Sequence, residues 1–441
     1  GLTLTNPSGA PLNIQDGKRI ELSAKKDTDN VLTDGAGGSQ KGCITCKGHL
    51  ELKGKGSLTV NGNTAHGIYA KEYIEMKNCT VNVNSSVKDG INCNQYFLME
   101  SGVLNISGVG DDGIQVSFKD ETDREAEDTG SFTMSGGSVN VAVTATASKA
   151  VKADGDISIS GGSITASVSG GGKWDEADAK TKAASCLSCD GNMAISAGTL
   201  ELTATGGGGK GINCDGSLTI DGGDITVKTS GGMYAYVNGT EYPDYTGNAD
   251  RLTSDQKSSP KGVKVDGNVT INGGSINVTT TGNGGEGIES KSEMTINAGT
   301  IAVNSRDDGL NSSSHMYIKG GDITVVATGN DAIDSNGDMY ISGGTIRAFG
   351  ASAPEGGIDA NEEENYSVYF TGGTLIAVGG NNSVPSSSAS TQAYVTGSGS
   401  VTAGSTVSLK SGDTVLAEFT VPDNYTSNGG GLHEPGGGPG G

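Results

Sequence analysis

The sequence predicts an all-β chain: a right-handed parallel β-helix, or solenoid, of about twelve coils with three strands per coil and a C-terminal β cap. Three observations carry this. A unit of 22 to 25 residues recurs along the chain. Inside each unit, apolar residues alternate with period two, the period of a strand. Paired glycines stand at a fixed place in most units, where the chain must turn a corner.

The recurrence is plain in three stretches. Residues 210–227 read KGINCDGSLTIDGGDITV, 261–278 read KGVKVDGNVTINGGSINV, and 331–348 read DAIDSNGDMYISGGTIRA. The small residue before the first aliphatic serves as an anchor. Anchors fall at Cys43, Gly67, Gly90, Gly113, Ala150, Cys186, Gly211, Gly262, Gly287, Gly309, Ala332 and Gly357. Three longer spacings, of 37, 36 and 51 residues, mark inserted loops. The residue after each anchor should form an inward ladder: Ile91, Ile114, Val151, Leu187, Ile212, Val263, Ile288, Leu310, Ile333 and Ile358. The corners are expected at Gly-Gly 136–137, 161–162, 222–223, 273–274, 320–321, 343–344 and 372–373. A leucine-rich repeat would need a leucine consensus that is absent here and a helix-forming segment between strands, and a propeller blade would need about 40 residues.

At the ends the pattern changes. Residues 1–40 read as N-terminal cap strands and 41–384 as the β-helix. Residues 385–427 read as a C-terminal β cap, with a hairpin around Ser411-Gly412-Asp413. Residues 428–441 form a Gly/Pro-rich tail. The acidic insert at 119–128 reads as a solvated loop.

Composition narrows the function. With 75 glycines and only 5% aromatic residues, the chain can build only a thin core, one layer per coil. The net charge of −22 excludes a nucleic-acid binder, which needs a basic face. No run approaches the roughly 18 apolar residues of a membrane span, so no membrane insertion is expected. Seven cysteines include two C-x-x-C pairs, Cys43/Cys46 and Cys186/Cys189. Strand residues three apart point to opposite faces, so neither pair chelates one metal. Cys46, Cys93, Cys189 and Cys214 instead share an inward column as small hydrophobes.

Several stretches resemble a known family. KKDTDNVLTDG (25–35), GKGSLTVNG (54–62), HGIYAKEYI (66–74) and DDGI (111–114) look like a family of secreted bacterial carbohydrate-binding domain-containing proteins, similar in fold to family-nine pectate lyases. The resemblance covers roughly residues 14–380. It implies a secreted or cell-surface protein that binds calcium and a pectin- or polygalacturonate-like acidic polysaccharide. The chain is expected to act as a monomer.

The residues suggest where such a site lies. Around the anchors of four successive coils stand Glu286, Glu289, Asp307, Asp308, Asp331, Asp334 and Asp359, with Asn311 and Glu355 beside them. Coils lie about 4.8 Å apart, so these oxygens crowd on one outward side. Crowded carboxylates repel unless a cation separates them, and an all-oxygen set suits calcium. A solvated acidic face is the plainer reading. A smaller set, Asp89, Asp111 and Asp112 with Asn92 and Gln115 nearby, repeats the pattern.

Between these sets the same positions turn basic: Lys149, Lys152, Lys210, Lys261 and Lys264. They are expected to form a positive band on which a uronate chain could lie, or else to keep the sheet soluble. Two inserts bring aromatic rings toward this side: Trp174 on one, and Tyr234, Tyr236, Tyr242 and Tyr245 on the other. Such rings stack on sugars or pack among themselves. No catalytic residue is assigned. The rival readings are a calcium-dependent lyase with Lys261 as its base, and an adhesin or scaffold without a sugar ligand.

Overall fold

A computed structural model describes residues 1–15, 17, 19–118 and 124–426. The expected tail, and residues 119–123 of the acidic insert, lie outside them. Almost every element is a short strand, as the period-two pattern requires. The described chain divides into two compact units, each a parallel β-helix. The first holds Gly1–Lys173, Lys182–Ser217 and Gly223–Ile225, and the second holds Trp174–Thr181, Leu218–Gly222 and Thr226–Gly441 as far as it is described.

In the first unit the inward ladder runs Leu12, Ile44, Ile68, Ile91, Ile114, Val151, Leu187, Ile212, each the parallel partner of the next. In the second it runs Val263, Ile288, Leu310, Ile333, Ile358. Apart from the half-buried Leu12 these side chains are excluded from water, and burial of each stabilises its coil by about 1.5–3 kcal/mol. Corners follow the glycines. The second member of every expected pair has positive φ, from 82° at Gly162 to 98° at Gly321. A Cβ on Gly344 would sit 2.9 Å from the Gly320 carbonyl, so the corner excludes side chains by contact as well as by angle.

Three places to the C-terminal side of the anchor, a second inward column carries aliphatic residues on some coils, among them Ala70, Val116 and Val265, and a small hydrogen-bonding group on others. In the first unit that group is a thiol: Cys46 Sγ faces the His49 carbonyl at 3.7 Å, and Cys93 Sγ that of Tyr96 at 3.4 Å. In the second it is a hydroxyl: Ser290 and Ser312 donate to the carbonyls of Glu293 and His315, both at 3.1 Å. On those coils it closes the turn after the strand, a task that thiol and hydroxyl share. All seven cysteines are buried and free, and Cys189 Sγ lies 3.4 Å from Cys214 Sγ.

Residues 1–34 hold four strands that join the parallel ladders. Ile20 pairs with Leu50, and Thr3 with Val31. Within the first unit runs an asparagine ladder: Asn105 donates to Asn82 at 2.8 Å and Asn140 to Asn105 at 2.9 Å. At the other terminus, Thr406–Ser411 and Thr414–Thr420 form an antiparallel hairpin. Beyond it, Val421 and Tyr425 bury against Val326 and Phe349. Among the described residues, no helix is long and apolar enough to cross a membrane.

Candidate functional site

The second unit gathers the acidic residues most tightly. Asp334 and Asp359 are parallel partners on adjacent strands, and Asn311 precedes them in the same row. Asp331 comes from the turn before its strand. Together Asp331, Asp334 and Asp359 place ligand oxygens within 4.8 Å of one another. Burial first, and then the neighbouring carboxylates, push Asp331 up to about 9 and Asp334 up to about 8. Asp308 is raised well above the carboxylate range for the same two reasons. The Asn311 Oδ1 atom is buried without a hydrogen-bond partner. The set thus offers hard oxygens only, strains toward proton uptake, and includes an orphaned acceptor. A hard cation such as calcium fits it.

Some of these oxygens have a second task. Asp308 accepts from the Asp331 amide at 3.2 Å, and Asp331 from the Gly356 amide at 2.5 Å. Each such aspartate clamps the backbone of the next coil. In the first unit Asp112 likewise accepts from the Lys149 amide at 2.6 Å. Position alone reads these residues as ligands; the structure makes them staples, and the second oxygen of Asp308 accepts from the Asn311 amide at 3.1 Å.

The expected larger acidic group does not stay whole. Glu286 and Glu289 belong to a separate ion cluster around Lys261, whose Nζ lies 2.8 Å from Glu286 and 2.7 Å from Glu289. Lys291 adds a contact of 2.5 Å to Glu289. Glu289 was expected to face solvent, yet it is only 1% exposed. Burial raises Glu286 to about 7. At Glu289 burial also pushes upward, but Lys261 and Lys291 outweigh it and hold the carboxyl at about 2. Asp307 turns to Asn330, which donates to it at 2.9 Å.

The smaller cluster in the first unit also assembles, with Asp89, Asp111 and Asp112 oxygens within 4.8 Å. It is better compensated. His66 Nδ1 lies 3.2 Å from Asp89, and Asn92 donates to Asp89 at 2.8 Å. Burial raises Asp112 to about 7 against the pull of Lys149. Gln115 donates elsewhere, to Asp154 at 3.2 Å.

The lysines of the expected positive band each have a partner nearby. In the first unit, Lys149 donates to the Ala147 carbonyl at 2.6 Å, Lys152 lies 3.5 Å from Asp154, and Lys210 is buried with its ammonium on the Gly208 carbonyl at 3.3 Å. In the second, Lys261 is sealed between its glutamates and Lys264 pairs with Asp266. Each lysine has a local partner because an ammonium at a half-buried position needs one. The aromatic inserts, too, pack on themselves. Trp174 stacks on Tyr236 with centroids 4.2 Å apart, Tyr236 donates to Glu176 at 3.2 Å, and Tyr234 is buried. Tyr242 meets Tyr245 edge-on.

Two features escape positional reasoning. One is a row of stacked tyrosines in the second unit, Tyr317, Tyr340 and Tyr369, with centroids 5.0 and 4.8 Å apart. Its signal was present: M-Y-I, M-Y-I and V-Y-F recur at 316–318, 339–341 and 368–370. The other is a cleft of about 240 Å³ in the same unit, where the insert at 230–260 meets the turns that carry Arg306, Asp307 and Glu355. Nothing in the periodicity marks it, because it depends on where the insert folds.

The profile of a family described as carbohydrate-binding domain-containing protein matches residues 1–233 and 278–433. A protein of the same description from Acetivibrio thermocellus is 32% identical over 76 residues, 15% of this chain and 27% of the relative. The match thus spans about a quarter of that relative's length. No solved structure matches the chain significantly.

Proposed function

This chain belongs to the family of carbohydrate-binding domain-containing proteins, and from that premise we propose that it binds an acidic, pectin- or polygalacturonate-like polysaccharide outside the cell, with calcium, and without cleaving it. The observation that carries this reading is the Asp331, Asp334 and Asp359 set. Three carboxylates packed this closely need either protons or a counter-charge, and a cation there would displace the protons that Asp331 and Asp334 otherwise hold. Asp331, Asp334 and Asp359, with Asn311, would hold the ion. A divalent cation there supplies the positive charge that draws a uronate carboxylate to an otherwise anionic protein.

The non-catalytic part of the reading rests on Lys261. Proton abstraction needs a neutral amine. Burial works against the Lys261 ammonium, but Glu286 and Glu289 outweigh it and raise its pKa above the usual lysine value. The one lysine considered as a base is therefore fixed as an acid.

Affinity electrophoresis in polygalacturonate gels tests the reading. Retardation with calcium, abolished by chelator and by Asp334→Asn with Asp359→Asn, is expected. Equal mobility in all gels would refute it, and unsaturated product appearing by ultraviolet absorbance would refute its non-catalytic part.

A further inference from the structure

The cleft beside the acidic set has the chemistry of a sugar subsite. Its wall from the 230–260 insert brings Tyr245, whose partly exposed ring borders the space, and Asn248. The facing turns bring Asn283, Arg306 and Asp307. Among the described residues Arg306 makes no ion pair, and its side chain is exposed. Arg306 is the one basic side chain lining the cleft, beside the carboxylates of Asp250, Asp307 and Glu355, and its planar fork matches a carboxylate. The cleft also adjoins the acidic set: its lining residues Asn330 and Glu355 stand next in sequence to Asp331 and to Gly356, whose amide donates to Asp331. At about 240 Å³ it lies below the roughly 300–1,000 Å³ of pockets that enclose a drug-sized ligand. It has room for one sugar ring, not a run of them.

We infer that this cleft receives a single uronate residue, its carboxylate paired with Arg306, its ring against Tyr245 and its hydroxyls on the asparagine amides. The inference rests on the reading that the ligand is an acidic polysaccharide. It adds a recognition element that does not depend on the cation.

The test compares wild type, Arg306→Ala and Arg306→Lys by affinity electrophoresis on polygalacturonate with calcium. Free galacturonate serves as competitor, and melting temperature is followed with calcium and with chelator. Loss of one charge-assisted pair should weaken Arg306→Ala about tenfold or more, with Arg306→Lys in between. Free galacturonate should compete with wild type and lose that effect in Arg306→Ala. The calcium-dependent melting shift should be the same in all three. If Arg306→Ala binds as wild type does, the inference falls and the parent reading stands. If wild type itself does not bind, the parent reading falls and takes the inference with it. If Arg306→Ala loses the calcium-dependent shift together with binding, Arg306 acts through the acidic set and the inference falls.

Discussion

Lys261 Nζ lies 2.7 Å from Glu289 Oε2, and both side chains are nearly excluded from water. A buried pair of this kind is interdependent: either charge alone would be only partly compensated, Lys261 by Glu286 and Glu289 by Lys291. Glu289→Ala should therefore destabilise the protein, by up to about 3 kcal/mol, the lower end for a fully uncompensated buried charge. Pairing it with Lys261→Met should recover part of that loss. Denaturant titration of the single and double variants measures it, and an additive double variant would mean the two charges do not depend on each other.

Protons and cation should compete at the acidic set. Asp331 and Asp334 titrate near 9 and 8 in the folded state against 3.8 in the free side chain. The folded protein thus binds more protons than the unfolded chain across that interval. The stabilisation this brings is complete below about pH 4 and is lost as pH rises through 8 and 9. In chelator, the melting temperature should rise as pH falls from 8 to 5. A flat profile over that range would contradict the buried-acid description.

Calcium should flatten this dependence by replacing the protons. At a hundred times its dissociation constant, a ligand bound only to the folded state stabilises by about 2.7 kcal/mol. That gain should be present in wild type at pH 8 and absent in Asp334→Asn with Asp359→Asn. Calorimetric scans with calcium and with chelator read it directly. An equal gain in the double variant would move the ion elsewhere.

The tyrosine row should contribute stability. Tyr340 stacks on both Tyr317 and Tyr369. With each aromatic pair contributing about 0.5–1.5 kcal/mol, Tyr340→Ala should cost about 1–3 kcal/mol. Tyr317→Ala, which ends the row, should cost less. Equal costs at the middle and the end would argue against stacking as the cause.

Thiol chemistry gives a fifth prediction. Burial pushes Cys43, Cys93 and Cys186 up to about 12. Thiolate is the reactive form, so the native protein should resist maleimide labelling and take up label only on unfolding. Rapid labelling of the native chain would show that these coils open locally.

Much of the fold was legible because one rule repeats. Ile333 and Ile358 had to share a column once their anchors were aligned, and Gly321 and Gly344 had to turn the corner. The site was less legible. Alternation tells which side of a strand Glu289 occupies, but not that Lys261 and Lys291 would close over it. The pairing of Trp174 with Tyr236 links two inserts that follow no repeat. Asp308 and Asp331 looked like ligands because sequence position does not distinguish an oxygen aimed at an ion from one aimed at the next amide. The free Arg306 drew no notice because its neighbourhood is made by an insert whose path no period dictates.

The corner glycines separate a repeating frame from the inserts carried on it. A coil whose turns are fixed by Gly321 or Gly344 keeps its register whatever length of chain is spliced in elsewhere. The insert at 230–260, which supplies one wall of the cleft, adds no residue to the inward ladder. Ligand preference can then diversify by exchanging inserts on an unchanged frame, much as antibody loops vary on a constant sandwich. Relatives with the same coils need not share a sugar.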